Sequence, residues 1–163
     1  MTADEATAAL PERVRAVVSA LRAARADGVP RILDDAARTA QEAAAALGVE
    51  VGAIANSLVF LADGAPLLVM TSGAHRVDTA ALAARIGVGT IDRAAPADVR
   101  DATGQAIGGV APVGHPAPLP TVVDEALAAF DVIWAAAGTP HAVFPTTFDE
   151  LVRITNGRVE RVD

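Results

Sequence analysis

Residues 54–71, IANSLVFLADGAPLLVMT, are two apolar runs on either side of an Asp-Gly pair. Asp-Gly suits a two-residue turn in which both central residues take positive φ, so 54–61 and 66–71 read as the arms of an antiparallel hairpin around Asp63-Gly64. Neither arm alternates cleanly between polar and apolar residues. That pattern predicts strands covered on both faces, hence a hairpin at the centre of a sheet rather than at its rim.

The flanking sequence supplies what would cover it. Upstream, Val14, Val17, Val18 and Leu21 recur at helical spacing, predicting an amphipathic helix over 10–26 closed by Asp27-Gly28, with Pro30 just beyond. Residues 31–33 suit a short strand. Thr39 with Glu42 makes a capping-box pattern, opening an alanine-rich helix that stops at Gly48. Downstream, Asp78 caps a helix over 79–86 ended by Gly87, and 90–92 suits another short strand. Pro96 fits the first turn of a helix that runs to Thr103 and stops at Gly104.

Beyond residue 120, a strand over 121–123 and a helical turn over 125–129 are expected. Strands over 132–136 and 141–144 would be joined through Gly138-Thr139-Pro140. Thr147 with Glu150 opens a last helix ending at Asn156-Gly157, and 158–162 alternates as an edge strand would. No linker, repeat or low-complexity tract divides the chain, so one domain over 1–163 is expected. Helices and strands mix without strict alternation, which predicts an α+β fold: a mixed sheet flanked by helices.

Composition narrows the chemistry. Of the 163 residues 39 are alanine, so the apolar fraction of 52% overstates the bulk available to the core. All thirteen basic residues are arginine, which excludes any mechanism built on a Schiff-base or phosphate-loop lysine. A net charge of −7 argues against broad, sequence-independent nucleic-acid binding, and no DNA partner is expected. Arg13, Arg15, Arg22, Arg25 and Arg31 cluster early and read as a solvated helix face. The absence of cysteine removes disulfides, thiol catalysis and thiolate metal sites. No apolar run approaches the roughly 18–20 residues that cross a bilayer. The first fifteen residues lack signal-peptide order. A cytoplasmic protein without a membrane partner is expected.

His75, His115 and His141 show no metal-ligand spacing, and Ser19, Ser57 and Ser72 stand in no GxSxG elbow. No GxGxxG follows a strand. No metal or cofactor is expected. The remaining chemical feature is residues 103–120, TGQAIGGVAPVGHPAPLP, which interleaves glycine with proline. Such a loop is shaped rather than floppy, and consecutive N–H groups at Gly108-Gly109 can point at one spot and stabilise an oxyanion. The same composition also describes an ordinary surface connection. His115 lies within this loop, as a ligand contact or a local hydrogen-bond partner. Ser72-Gly73 follows a strand and would present backbone N–H groups. Asn56 opens the apolar strand, as a strand-end hydrogen-bonding residue or a ligand contact.

The run 54–60, IANSLVF, followed by 108–115, GGVAPVGH, resembles the YbaK family, which includes the editing domain inserted in bacterial prolyl-tRNA synthetases. The similarity continues through the Asp124 region, Ala136-Ala137-Gly138 and the helix start at 147–151, covering about residues 10–159. The resemblance implies an α+β fold with a mixed, curved sheet. It also implies a freestanding enzyme acting in trans to hydrolyse wrongly charged aminoacyl-tRNA. The implied partners are mischarged tRNA, through its 3′ aminoacyl end, and a synthetase.

Gly108 and Pro112 occupy the ends of the family's GxxxP loop, which helps hold the aminoacyl group and the reacting ester. Asn56 occupies the position where many relatives carry a lysine, replacing a mobile charge by a short neutral amide. Taken with the reading of the loop and strand ends, Gly108, Gly109 and Asn56 are the expected catalytic set. Pro112, His115, Ser57, Ser72, Gly73 and Gly138 are the expected substrate contacts. An aminoacyl ester is already activated, so a positioned water and oxyanion stabilisation suffice without a strong nucleophile. The alternative class is a module that binds aminoacyl-tRNA or an aminoacyl nucleotide without hydrolysing it. A small-metabolite-binding regulator is a third.

Overall fold

The computed structural model describes residues 9–163; part of the N-terminal stretch read for signal-peptide order lies outside them. The described chain begins with α1 (Glu12–Ala23), whose buried face is Val14, Val17, Val18 and Leu21. Pro11 precedes its first turn with φ −55°, an angle proline fixes in advance. The helix stops earlier than its spacing suggests. Arg25, not Gly28, takes the left-handed backbone, at φ 57°. The short β1 (Arg31–Ile32) and α2 (Ala40–Leu47) follow. Thr39 caps α2 by accepting the Glu42 N–H at 3.1 Å, while the Glu42 carboxylate accepts from the Arg38 N–H.

The central hairpin is β2 (Ile54–Ala62) and β3 (Ala65–Ser72), registered from Ala55 opposite Ser72 to Ala62 opposite Ala65. Asp63 and Gly64 both carry positive φ, 49° and 83°, as the Asp-Gly turn requires. The Asp63 carboxylate also accepts the Gly89 and Thr90 N–H groups at 3.0 and 2.9 Å. These two bonds hold its carboxyl below the usual aspartate value and tie the hairpin tip to the segment before β4 (Ile91–Arg93). Between them runs α3 (Thr79–Ile86), capped by Asp78 and closed by left-handed Gly87. Then come α4 (Pro96–Thr103), the glycine-proline loop, β5 (Thr121–Asp124) and a 3₁₀ turn over Glu125–Ala129. β6 (Ile133–Ala136), β7 (Ala142–Thr146), α5 (Phe148–Thr155) and β8 (Arg158–Glu160) complete the chain.

All eight strands join one mixed sheet in the order β1-β7-β6-β2-β3-β5-β8, with β4 also on β2. The pairs β2/β6, β3/β5 and β5/β8 are parallel and the others antiparallel. β3 is the structural centre. Alternate side chains serve opposite faces of a strand, and here Leu68 and Met70 enter the core with α1 and Phe144, while Leu67 and Val69 pack with Leu82 of α3.

The expectation that both hairpin arms are covered on both faces holds for β3 and fails for β2. Every residue from Leu67 to Ser72 is buried, but Asn56 to Ala62 are only half-buried. The reason is a break in the sheet. β3 takes one edge of β2 along its whole length. On the other edge β6 pairs Ile54 and Ala55, β4 pairs Phe60 to Ala62, and among the described residues no strand pairs the stretch between.

Candidate functional site

That unpaired edge, residues 56–59, is where the cleft forms. The glycine-proline loop comes to it from α4, which Thr103 and Gly104 end; Gly104 takes φ 70°. One buried side chain then shapes the loop. Gln105, 4% exposed, accepts the Ala111 N–H on Oε1 at 2.7 Å and donates from Nε2 to the Val113 carbonyl at 3.3 Å. Its own N–H goes to Thr103 Oγ1, whose hydroxyl donates back to Val99 O. Gln105 therefore closes 106–110 into an arch, and Ile107 to Val110 line one cavity together with Ile54 to Leu58 of β2.

Both glycines are required by this geometry. Gly108 holds φ 95°, the left-handed region that side chains rarely enter. A Cβ on Gly109 would meet the Thr139 carbonyl carbon at 2.5 Å, so the loop backbone lies directly on the β6–β7 connection. Gly109 O also accepts the Gly138 N–H at 3.0 Å. Among the described residues none accepts a hydrogen bond from the N–H groups of Ile107, Gly108, Gly109 or Val110. Gly109 and Val110 are nevertheless buried. Buried amides without a protein partner are unusual, since leaving one unmade costs about 1–3 kcal/mol.

These four residues line a cavity of about 190 Å³ whose walls include Asn56, Ser57 and Leu58 of β2, Trp134 of β6, and the start of α2. Among the described residues of that wall the one charged side chain is Arg38. A cavity so small, apolar on most sides and lined by residues whose N–H groups lack a protein acceptor, suits a compact group carrying a carbonyl. No group of three or more His, Cys, Asp or Glu side chains is placed to hold a metal among the described residues.

Of the residues singled out from the sequence, Asn56, Ser57, Gly108 and Gly109 meet on this one cavity. The Ser57 hydroxyl is turned to Met70 Sδ at 3.2 Å. The others stand elsewhere. Pro112 is buried, and with His115 it borders a separate groove against α1 and α5. His115 Nε2–H donates to Ala111 O at 2.8 Å, so this ring fastens the loop from the side away from the cavity. Burial pushes its pKa down, with that hydrogen bond opposing.

Ser72 and Gly73 do not offer their N–H groups to the cavity. Ser72 N–H donates to the fully buried Asp124 carboxylate at 2.9 Å, and Gly73 N–H donates to Ile54 O at 2.8 Å. Asp124 also accepts from His75 Nδ1 and from the Ala126 N–H, which locks the end of β3 to β5. Gly138 supports the site from behind: it holds Gly109 O and packs against the α1 backbone at Arg13.

Sequence reasoning missed Gln105, Ile107, Trp134 and Thr139-Pro140. Only Ile107 left a usable signal, an isoleucine in a polar loop, and it is 58% exposed at the cleft. No helix of the described residues is long and apolar enough to cross a membrane.

Residues 34–154 match the family model of the aminoacyl-tRNA editing domain. Among solved structures, a candidate trans-editing enzyme for prolyl-tRNA synthetase is 41% identical, with a TM-score of 0.85 over 95% of this chain and 99% of that one. A chain from work on grafting epitope backbones onto scaffold proteins is 38% identical, with a TM-score of 0.85 over 94% and 98%. A hypothetical protein is 28% identical, with a TM-score of 0.83 over 90% and 98%. No curated protein matches. The mixed sheet, the glycine arch against β2 and the span of the family model lead to one conclusion: the chain belongs to the aminoacyl-tRNA editing domain family.

Proposed function

We propose that this chain hydrolyses the ester of mischarged aminoacyl-tRNA in trans, releasing free amino acid and uncharged tRNA. The observation that carries the reading is the set of unpartnered N–H groups at Gly108 and Gly109 on a small, largely uncharged cavity. The aminoacyl group enters the cavity and its carbonyl oxygen faces the arch. Water attacks the carbonyl carbon, and the arch amides stabilise the tetrahedral oxyanion. The bond to the ribose oxygen then breaks and that oxygen takes the proton from water. Donors of this kind are worth roughly 10²–10³-fold each. Asn56 supplies an amide that hydrogen-bonds the ester or the ribose. Cavity size selects the amino acid, because one methylene is worth only about 1–3 kcal/mol and a synthetase needs a second sieve.

The test is release of amino acid from a panel of mischarged tRNAs at catalytic protein concentration, beginning with alanyl-tRNA specific for proline. Multiple turnover on one member is the expected result. Asn56 in the family's lysine position, with Arg38 the one charge on the wall, favours a second reading: a module that binds aminoacyl-tRNA without cleaving it. Tight binding with no turnover across the panel would replace the first reading by the second.

A further inference from the structure

Among the described residues no carboxylate lines the cavity of about 190 Å³, and one cation does: Arg38, just before the Thr39 cap of α2. Its backbone is fixed at two points. The Arg38 N–H donates to the Glu42 carboxylate at 2.9 Å, and the neighbouring Ala37 N–H donates to Pro140 O at 2.7 Å. Pro140 is also where the arch packs. Its Cγ lies 3.9 Å from where a Cβ on Gly108 would be, and its N lies 2.8 Å from where one on Gly109 would be. Arg38 is therefore rooted next to a bond to the proline that both arch glycines touch. The side chain, by contrast, is exposed, and its guanidinium has no ion pair or hydrogen bond with any described residue. In this chain of net charge −7, Arg85, Arg153, Arg158 and Arg161 are all engaged. Arg38 ties no described element to another, yet it stands on the cavity wall.

We propose that Arg38 is a catalytic residue, whose guanidinium meets the negative charge that forms on the ester carbonyl oxygen as water adds. The assignment rests on the deacylase reading and adds a charged donor to the arch amides. When the water oxygen bonds to the carbonyl carbon, the π pair of the C=O bond moves onto the carbonyl oxygen. That atom carries the charge until the bond to the ribose oxygen breaks. Backbone amides meet it with dipoles alone, whereas a hydrogen bond from a cation is roughly twice as strong. A small cavity with mostly apolar walls screens such a pairing less than bulk water does. Asn56 lines the same cavity from β2 and is neutral, so among the described residues the positive charge there comes from Arg38. The carbonyl of the bound ester is uncharged, and the oxyanion is not. Arg38 therefore acts chiefly in the transition state, and its loss is felt in kcat rather than in KM.

The experiment has two readouts on the full chain. On the mischarged tRNA that the native chain cleaves fastest, Arg38→Gln, folded by circular dichroism, is expected to lower kcat by roughly 10²-fold and to change KM less than about threefold. The Arg38→Gln/Asn56→Lys chain, which moves the cation to the β2 side of the same cavity, is expected to regain at least about tenfold in kcat. A merely structural role for Arg38 would give no such rescue. The second readout needs no turnover. It is calorimetric titration with the adenosine 3′-ester of 1-aminoethylphosphonate, which is tetrahedral and anionic, and with 3′-alanylamino-3′-deoxyadenosine, whose amide carbonyl is planar and neutral. The native chain is expected to prefer the phosphonate by at least about tenfold, and the Arg38→Gln chain to bind the two alike. Unchanged kcat, a rise in KM alone, no rescue, or a preference that survives Arg38→Gln would overturn the assignment. Turnover without any preference for the phosphonate would leave the deacylase reading standing and remove Arg38 from it. A preference that needs Arg38, in a chain that turns over no aminoacyl-tRNA, would keep the contact between Arg38 and the anion and remove deacylation.

Discussion

At Gly108 the backbone sits at φ 95° with its nearest neighbour, Pro140 Cγ, 3.9 Å from where a Cβ would be. At Gly109 a Cβ would strike Thr139 and Pro140 backbone atoms at 2.5–2.8 Å. The two positions therefore separate conformational strain from exclusion. Gly108→Ala is expected to cost about 1–2 kcal/mol in local backbone energy and to leave the arch over the cavity. Gly109→Ala pushes the arch off the β6–β7 connection, and deacylation is expected to fall by roughly 10²-fold or more with the circular dichroism spectrum unchanged. Equal rates for the two variants would show that the position of the arch does not matter to the chemistry. That a glycine pair was needed is legible in the sequence. Which neighbour requires the second glycine is not, because Thr139 lies thirty residues away on another connection.

The element that positions the chemistry is the loop from Gly104 to Pro120, and its shape depends on Gln105 more than on proline. Gln105→Met keeps the volume and removes both bonds, stranding the Ala111 N–H and weakening the tie to Val113 O. The expected result is a stability loss of about 1–3 kcal/mol by urea denaturation. A larger fall in kcat than rise in KM is also expected, because the arch amides lose their aim. Unchanged kcat would show that the loop holds its shape without the staple. Nothing in the sequence marks Gln105, since a glutamine after a helix-ending glycine is ordinarily a solvated loop residue. The helices around it were legible because their signals are local. Asp78, Thr39 and Thr147 each accept an N–H three residues on, and Gly48, Gly87 and Gly104 each take the left-handed C-cap.

Across the whole molecule, His115 links stability to pH. Its pKa is lowered in the fold, chiefly by burial, so the folded ring stays neutral where the unfolded ring accepts a proton. The stability it allows is fully present above the ordinary histidine value of about 6.5 and is lost as pH falls from there toward the lower folded value. His115→Gln is therefore expected to lose less stability than the native chain between about pH 7.5 and pH 5, read as the shift in urea midpoint. An identical shift in the two chains would show that other groups carry the acid sensitivity.

The sequence by itself determined what depends on neighbours within a few residues: the Asp63-Gly64 turn, the capped helix starts, the glycine stops and the apolar face of α1. The YbaK-like runs at 54–60 and 108–115 extended that to the family. Only the tertiary structure decided where the cleft lies. It exists because β6 stops pairing β2 at Ala55 and β4 begins at Phe60. Those registers join segments thirty to eighty residues apart and are set by how the α1 and α3 cores fill, which no local pattern encodes. The same packing commits the N–H groups of Ser72 and Gly73 to Asp124 and Ile54 and leaves those of Gly108 and Gly109 unpartnered. Two similar glycine-bearing strand and loop ends thus take different roles because of what stands across from each.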